Sequence, residues 1–207
     1  MKKILFAITC MILLSNFSIA SAEPMSPTTQ SYMEREISDL TDTINKNPND
    51  AIIYCKRAHN YCVLKKYDLA IADYDKAIEI NPKYAYAYYC RGSVSHTKGN
   101  IDLAIADFSK ALELEPHYIE PYSTLGRLYL KKGQYDLAVN TYLKEIEINS
   151  EKTTAYFDLA EAYEKQSLYS EAIKVYRKII NKKSVNLVTE LWKEQAKDKI
   201  VELGGTL

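Results

Sequence analysis

The residue types that suggest chemistry cluster between positions 55 and 62. Cys55, His59 and Cys62 are spaced i, i+4 and i+7, so a helix would place them on one face. His96 stands at the matching level of the next equivalent helix. Thiolates and imidazoles are zinc ligands, but two helical turns separate Cys55 from Cys62 by about 10 Å along the axis. One ion cannot bridge that separation without distortion, so we predict no metal site.

Cys55 and His59 are also the only pair that could act as nucleophile and base. Their i, i+4 spacing allows contact on a helix. No acid that would orient the imidazole is evident, and the sequence has no nucleophile elbow, phosphate-binding glycine loop or paired-histidine motif. We therefore predict that the chain is not an enzyme and has no cofactor. A thiol-dependent enzyme or metal binder is the weakest alternative.

The cysteines can also be read for their redox state. A disulfide needs Cα atoms within about 7 Å, so Cys55 and Cys62 cannot bridge along one straight helix. A bond between Cys55 and Cys90 on neighbouring helices is one possibility. Free thiols that are buried or half-buried are the interpretation that we favour.

The first 22 residues have the pattern of a secretory signal peptide. Lys2 and Lys3 precede an apolar run from Ile4 to Ile19, and Ala20-Ser21-Ala22 offers a small-x-small cleavage site. A retained anchor is a weaker alternative, because the run is shorter than the roughly 20 residues of a spanning helix. A lipoprotein attached through Cys10 is also weaker, because Thr9 is large before the cysteine and the apolar stretch ahead of it is short. We expect an exported protein, periplasmic or secreted, that does not associate with the membrane after cleavage.

The charge of the chain excludes one class of partner. Basic and acidic residues are equal at 27 each, and removing the signal would leave two fewer basic than acidic residues. A nucleic-acid-binding domain has a basic excess, so we predict no nucleic-acid partner.

A 34-residue period organises most of the chain. Residues 51–84, 85–118, 119–152 and 153–186 align without gaps, which is the signature of a stacked-helix solenoid. Apolar residues within each unit follow helical spacing, and turn-forming residues interrupt them at mid-unit and at the end. The mid-unit breaks are Lys65-Lys66, Gly99-Asn100, Gly133-Gln134 and Ser167-Leu168. Each unit is therefore predicted to form two antiparallel helices, A and B.

Four positions of the unit carry a family resemblance. Position 4 is always tyrosine, position 8 is alanine or glycine, position 20 is alanine, and position 24 is tyrosine or phenylalanine. In this pattern the chain resembles the tetratricopeptide repeat (TPR) family. The resemblance implies an all-α, right-handed superhelical solenoid. The residues that carry it are Tyr54, Tyr88, Tyr122 and Tyr156; Ala58, Gly92, Gly126 and Ala160; Ala70, Ala104, Ala138 and Ala172; Tyr74, Phe108, Tyr142 and Tyr176.

Both ends of the array have partial units. Residues 31–50 match the second helix of a unit and are predicted to form an N-terminal half-repeat, after a flexible leader at 23–30. Residues 187–207 are predicted to be a C-terminal capping helix and tail. In the capping interpretation Trp192 packs on the array, whereas in the alternative it contacts a partner or anchors a dimer.

Two departures from the family pattern predict specific packing. Arg57 and Arg91 occupy position 7, usually leucine in the family, and Asp73 and Asp107 follow each of them by sixteen residues. Units three and four lack both charges, so we predict Arg–Asp pairs between helices A and B of the first two units. At position 27, Glu145 and Ile179 replace the alanines of the earlier units, which predicts looser or shifted packing there.

The resemblance also implies a binding surface. In the family, positions 2, 5, 9, 12 and 13 of each helix A line a concave groove that binds a protein or peptide. Here they are Ile52, Cys55, His59, Cys62 and Val63; Tyr86, Tyr89, Ser93, His96 and Thr97; Glu120, Ser123, Arg127, Leu130 and Lys131; Thr154, Phe157, Glu161, Glu164 and Lys165. This predicted groove grades from apolar and thiol-bearing to charged, as would suit a polypeptide with an apolar head and a polar tail.

We expect a protein-interaction module that acts as an adaptor, scaffold or assembly factor in the bacterial cell envelope. The basic clamp that some family members use for chaperone tails is absent, since Cys55 and His59 stand where it needs lysine and asparagine. The alternative is a self-associating structural protein, a homo-oligomer that stacks through its ends or through the tyrosines between Tyr84 and Tyr89.

Overall fold

A computed structural model describes residues 27–183 and 187–206, and every regular element within those ranges is an α-helix. The predicted signal peptide, residues 23–26, the end of the fourth unit at 184–186 and Leu207 lie outside the described residues. The helices are α1 (Pro27–Lys46), α2 (Ala51–Val63), α3 (Tyr67–Ile80), α4 (Ala85–Thr97), α5 (Ile101–Leu114), α6 (Glu120–Lys131), α7 (Tyr135–Ile148), α8 (Thr153–Lys165), α9 (Tyr169–Ile180) and α10 (Leu187–Glu202).

The turn inside each unit follows from a left-handed residue at the predicted break. Gly99 and Gly133 have φ of 82° and 71°, a region that glycine enters without a steric penalty. Lys65 and Ser167 hold the same conformation in units one and four, at φ of 56° and 60°. This residue ends helix A in a left-handed cap and reverses the chain into helix B. The predicted breaks are confirmed.

Small residues and aromatic rings alternate where helices A and B cross. The alanines at positions 8 and 20 have no exposed surface, and the aromatic residues at position 24 are at most 2% exposed. At Gly126 the approach is so close that a Cβ atom would lie 2.5 Å from the Tyr142 ring. The repeat pattern thus corresponds to the buried positions between helices A and B of each unit.

The predicted Arg–Asp pairs are confirmed in both units. Arg57 donates from Nε and Nη2 to the two carboxylate oxygens of Asp73, at 2.8 and 2.7 Å. Arg91 makes the same paired contact with Asp107, at 2.9 and 2.7 Å. The two aspartates are only 6% and 3% exposed. Such fork-shaped contacts satisfy a buried carboxylate and fix the A–B crossing.

The N-terminal helix extends further than predicted. Helix α1 begins at Pro27, so residues 27–30 are helical and the prediction of a flexible leader is wrong for them. Proline suits the first turn of a helix, because its fixed φ is already helical and the N–H it lacks would have had no partner. Ile44 anchors α1 in the core, and Asn60 Nδ2 donates to Glu36 Oε2 at 3.1 Å.

Helix α10 closes the C-terminal end of the array. Ala196 and Ile200 are completely buried in the same apolar cluster as Tyr176 and Ile179, and Trp192 packs half-buried against that cluster. The capping interpretation of α10 is confirmed. Within the part of the chain that the structure describes, no helix combines the length and apolarity needed to cross a membrane.

Candidate functional site

The predicted groove residues differ in how far they reach solvent. Of the twenty, eleven are exposed, among them Ile52, Tyr86, Arg127 and Glu161, and eight more are half-buried. Cys55 is the exception at 3% exposed, so its thiol lies in the floor beneath the surface. The face of the A helices (α2, α4, α6 and α8) therefore offers side chains of mixed chemistry for contact.

Aromatic rings run along the N-terminal half of this face. Tyr84 and Tyr86 have ring centroids 5.9 Å apart, Tyr86 and Tyr89 are 6.5 Å apart, and Tyr89 meets Tyr118 edge-on at 5.1 Å. Tyr89 also packs on Phe108 at 6.0 Å, which fixes the run to the core. We call Tyr84, Tyr86, Tyr89 and Tyr118 the tyrosine run. Tyr86 is 40% exposed, so the run offers amphipathic surface to a ligand.

Two of the three thiols, Cys55 and Cys90, lie beside Tyr84 and Tyr86 of the tyrosine run, whereas the third, Cys62, faces Tyr74. Cys55, Cys62 and Cys90 are all free, so no Cys55–Cys90 disulfide forms. Burial, with smaller contributions from nearby Cys90 and Asp73, raises the pKa of the Cys55 thiol to about 12. A thiol in that state stays protonated near neutrality and is a poor nucleophile. Among the described residues, no group of three or more His, Cys, Asp or Glu side chains is placed to hold a metal ion.

Glu145 forms a buried polar contact between units three and four. Its Oε1 accepts from Ser123 Oγ at 2.6 Å and from Lys152 Nζ at 2.5 Å. Lys152 Nζ also donates to Ser123 Oγ at 2.8 Å. Glu145 has no exposed surface and Ile179 only 1%, so both larger side chains are packed into their interfaces. The second carboxylate oxygen of Glu145, Oε2, has no hydrogen-bond partner in the part of the chain that the structure describes.

The Tyr142 hydroxyl is the second buried polar group without a partner at this junction. In unit four the equivalent Tyr176 donates from Oη to Glu164 Oε1 at 2.6 Å, and in unit one Tyr74 Oη lies 3.9 Å from Cys62 Sγ. Both partners occupy position 12 of helix A. In unit three that position is Leu130, which has no polar atom to offer. The exchange of one residue leaves Tyr142 Oη unsatisfied.

A cleft of about 710 Å³ lies at the C-terminal end of the groove, between α8, α9 and α10. We call it the C-terminal cleft. Phe157 and Tyr176 form one wall with ring centroids 5.7 Å apart. The lining residues are Phe157, Asp158, Glu161, Glu164, Lys165, Tyr169, Tyr176, Gln195, Lys199, Glu202 and Leu203. Glu164 and Glu202 pair with Lys199 at 3.5 and 3.1 Å.

Asp158 lines the C-terminal cleft without an ion pair or hydrogen bond among the described residues, and so does Glu161. Burial raises the pKa of the Asp158 carboxyl to about 6. Arg127 lowers it and Glu145 and Glu161 raise it, but burial dominates. The exposed Arg127 acts on Asp158 through space only, since it forms no ion pair. An unpaired, half-buried carboxylate is a group for which a ligand can supply the missing partner.

Sequence reasoning identified Phe157, Glu161, Glu164 and Arg127 but missed Asp158, Tyr142 and Lys152. Asp158 and Lys152 fall outside the five groove positions, and Tyr142 matched a core position. One signal was available in the sequence, because Glu145 at a position that alanine holds in the first two units indicated an unusual junction.

Family models match most of the repeat array. A model described as TPR repeat matches residues 58–99 and 126–167, and three described as tetratricopeptide repeat match 85–118, 108–140 and 154–182. The chain is a tetratricopeptide repeat protein. Its membership agrees with the helix pairs and with the buried positions of each unit. Proteins of this family are protein–protein interaction modules.

Solved structures with the same fold include several TPR proteins. MamA shares 23% identity at a TM-score of 0.65, over 87% of this chain and 91% of that one. YrrB, described as a TPR protein with an unusual peptide-binding site, shares 26% identity at a TM-score of 0.62, over 79% and 91%. The first TPR of Spaghetti (RPAP3), bound to the HSP90 peptide SRMEEVD, shares 23% at 0.51, over 57% and 95%. A search of curated proteins found no match.

Proposed function

We propose that this TPR protein binds a partner polypeptide along its A helices and acts as an adaptor, scaffold or assembly factor. The observation that carries the proposal is the tyrosine run, which places Tyr86 at 40% exposure beside Tyr84 and Tyr89. Rigid, amphipathic rings give large contact area with little loss of side-chain entropy, which is why they dominate binding hot spots. Peptide binding by YrrB and by the first TPR of RPAP3 supports the same use of the fold.

The character of the groove argues for a partner that is not an acidic tail. The basic clamp is replaced by Cys55 and His59, and the C-terminal half of the groove carries Asp158, Glu161 and Glu164. An acidic tail would meet carboxylates there. The proposed ligand is therefore an extended or helical segment with apolar residues for the tyrosine run and a non-acidic portion for the far end.

We also propose that the protein works outside the bacterial cytoplasm, in the periplasm or as a secreted protein. The support is the basic, apolar and small-residue order of residues 1–22. The mass of the mature protein from its native host tests this, because cleavage after Ala22 would leave Glu23 at the N-terminus. An intact N-terminus in the purified cytoplasmic fraction would overturn it.

Selection from a random 15-residue peptide display library tests binding directly. Selected peptides should bind the chain and lose about tenfold in affinity when Tyr86→Ser removes a ring from the run, since an aromatic hot spot contributes upwards of 1 kcal/mol. Tyr32→Ser is the matched control, because Tyr32 is 56% exposed on α1 and outside the run. Selection of no peptide, or equal binding by both variants and the unaltered chain, would contradict the proposal.

A further inference from the structure

We propose that the C-terminal cleft receives a lysine side chain of the bound polypeptide, with its ammonium group at Asp158 and Glu161 and its aliphatic stem against Phe157 and Tyr169. The inference deepens the proposed function, on which it rests, by naming the chemistry of the ligand at one end of the groove. Three features of the cleft lead to it: its charge, its aromatic wall and the buried polar atoms behind it.

The charge of the cleft favours a cation. Four carboxylates and two ammonium groups line it, an excess of two negative charges. Glu164 and Glu202 are already engaged with Lys199, which leaves the carboxylates of Asp158 and Glu161 without a partner. Arg127 is close enough to influence Asp158 but forms no ion pair with it. An incoming ammonium group would pair two carboxylates that the chain itself leaves unpaired.

The aromatic wall favours a cation on an apolar stem. The half-buried ring of Phe157 and the exposed ring of Tyr169 line the cleft, and Phe157 is held in place by the buried Tyr176 ring at 5.7 Å and an interplanar angle of 60°. Aromatic faces attract cations and also pack against methylene groups. Lysine carries four methylene groups below its charge, so its stem and its head would each find a matching surface.

The polar atoms near Asp158 that lack partners indicate whether a ligand at this end should donate or accept hydrogen bonds. Tyr142 and Glu145 have no exposed surface, and Tyr142 Oη and Glu145 Oε2 have no hydrogen-bond partner. The Tyr142 hydroxyl feels the charges of Asp158, Arg127, Glu161 and Glu145, so it lies near the carboxylates of the cleft, although Tyr142 and Glu145 do not line the cleft themselves. The carboxylate oxygens of Glu145 and of the ionised Asp158 accept hydrogen bonds and cannot donate them. The carboxylates of Asp158 and Glu161 have no donor among the described residues, and an ammonium group supplies three donors without any acceptor.

Peptides that differ in one side chain test the inference. The probes are acetyl-Ala-Ala-Lys-Ala-Ala-amide and its counterparts with norleucine, arginine or glutamate at the central position, titrated into the isotope-labelled chain by NMR. We expect saturable shifts of the Phe157, Asp158 and Glu161 amides with the lysine peptide. Affinity for the norleucine peptide, which keeps the stem and lacks the charge, should be about tenfold lower, and the glutamate peptide should give no saturable shifts.

Substitutions in the cleft give the second arm. Asp158→Asn and Glu161→Gln should each lower lysine-peptide affinity about tenfold, because each removes one charge-assisted contact. Asp198→Asn is the control, since Asp198 is exposed on α10 and does not line the cleft. Equal shifts with norleucine, tighter binding of arginine than of lysine, or full affinity in both cleft variants would overturn the inference.

The two proposals fail in different ways. If display peptides require Tyr86 but bind equally well when a lysine in them is replaced by norleucine, the proposed groove is supported and the lysine site is contradicted. If the lysine peptide binds saturably and requires Asp158, but no display peptide depends on Tyr86, the lysine site is supported and binding along the tyrosine run is contradicted.

Discussion

Asp158 combines partial burial with the absence of a partner, and this combination costs folding free energy. Burial raises the pKa of its carboxyl from 3.8 to about 6, against the lowering effect of Arg127 on α6 and Lys152 before α8 and with the raising effect of Glu145 and Glu161. Between about pH 4 and pH 6 the folded state therefore holds a proton that the unfolded state has released. Stability contributed by this group falls as pH rises through that window, and the penalty is complete above it.

Replacing the carboxyl with an amide should remove this penalty. We expect Asp158→Asn to raise the free energy of unfolding at pH 7 by about 1–2 kcal/mol, because the ionised group no longer needs to be desolvated. At pH 4 the two proteins should differ by less, since the aspartate is then protonated in the folded state. Urea unfolding at the two pH values measures both quantities, with Asp198→Asn as the exposed control. A variant less stable than the unaltered chain at pH 7 would show that Asp158 has a partner in solution.

A gain in stability together with a loss of lysine-peptide affinity would characterise Asp158 as a binding residue. Groups held in unfavourable surroundings are common at functional sites, where a ligand relieves the cost. Tyr142 and Glu145 fit the same description, since each keeps a buried polar atom unsatisfied. If the carboxylate had a purely structural role, its substitution would instead lower the stability of the protein.

At this scale the sequence predicts more of the scaffold than of the site. The 34-residue period identifies Tyr142 as a core residue and Glu161 as a groove residue, because a period assigns each residue to a face of a helix. It does not tell whether a polar atom finds a partner. That depends on which side chains reach it from the neighbouring helix. Tyr176 donates to Glu164 at position 12 of its unit, whereas Tyr142 meets Leu130 at the same position.

The elements of the fold differ in how they fix the crossing of helices A and B. Units one and two use Arg57–Asp73 and Arg91–Asp107, and each arginine also reaches the preceding B helix. Arg57 Nη1 donates to Thr41 Oγ1 at 3.0 Å, and Arg91 Nη1 donates to Asp75 Oδ1 at 2.5 Å. Units three and four fill the same places with Leu125 and Thr141, and with Leu159 and Val175. One fold therefore contains both a charged and an apolar solution to the same packing problem.

The apolar units provide a design for testing the charged ones. Arg57→Leu alone should lower the free energy of unfolding by about 3–5 kcal/mol, because Asp73 is left buried without a partner. The double variant Arg57→Leu/Asp73→Val should recover most of that loss, since Leu159 and Val175 pack at the equivalent places. Equilibrium urea unfolding of the single and double variants measures the difference. A double variant as unstable as Arg57→Leu would mean that the arginine's contacts with Thr41, Tyr54 and Tyr61 matter more than its pairing.

The helices follow from the sequence with one error and one surprise. Each unit has charged residues at both position 7 and position 23 or at neither of them. This pattern predicts the Arg–Asp pairs, because an unpaired charge in the core would be too costly. The start of α1 at Pro27 was mispredicted, since proline marks both leaders and first helical turns. Looser or shifted packing at Glu145 stays a prediction, and what the sequence did not indicate is that Lys152 and Ser123 would satisfy one of its buried oxygens.

As a whole, the molecule is a linear array in which each helix packs against its neighbours in sequence. The apolar core accordingly divides into an N-terminal cluster around Tyr74, a smaller central cluster around Phe108 and a C-terminal cluster around Tyr142 and Tyr176. The tyrosine run borders the first two clusters, and the C-terminal cleft borders the third. Stability in such arrays is approximately a sum of unit and interface contributions, so damage at one end stays local.

Truncation of one buried side chain in α10 tests this locality and its link to binding. Ile200 has no exposed surface, and Ile200→Ala should cost about 2–4 kcal/mol through the cavity it leaves. Hydrogen exchange should show faster exchange in α8, α9 and α10 with little change in α2 and α3, because those helices share no core cluster with Ile200. The lysine peptide should bind more weakly, because Lys199, Glu202 and Leu203 of the cleft lie next to Ile200 in the same segment. Display peptides that need Tyr86 should bind as before. Val201→Ala is the adjacent control at 58% exposure. Equal acceleration of exchange in all helices would show that the array unfolds as one cooperative unit and that its two ends are not independent sites.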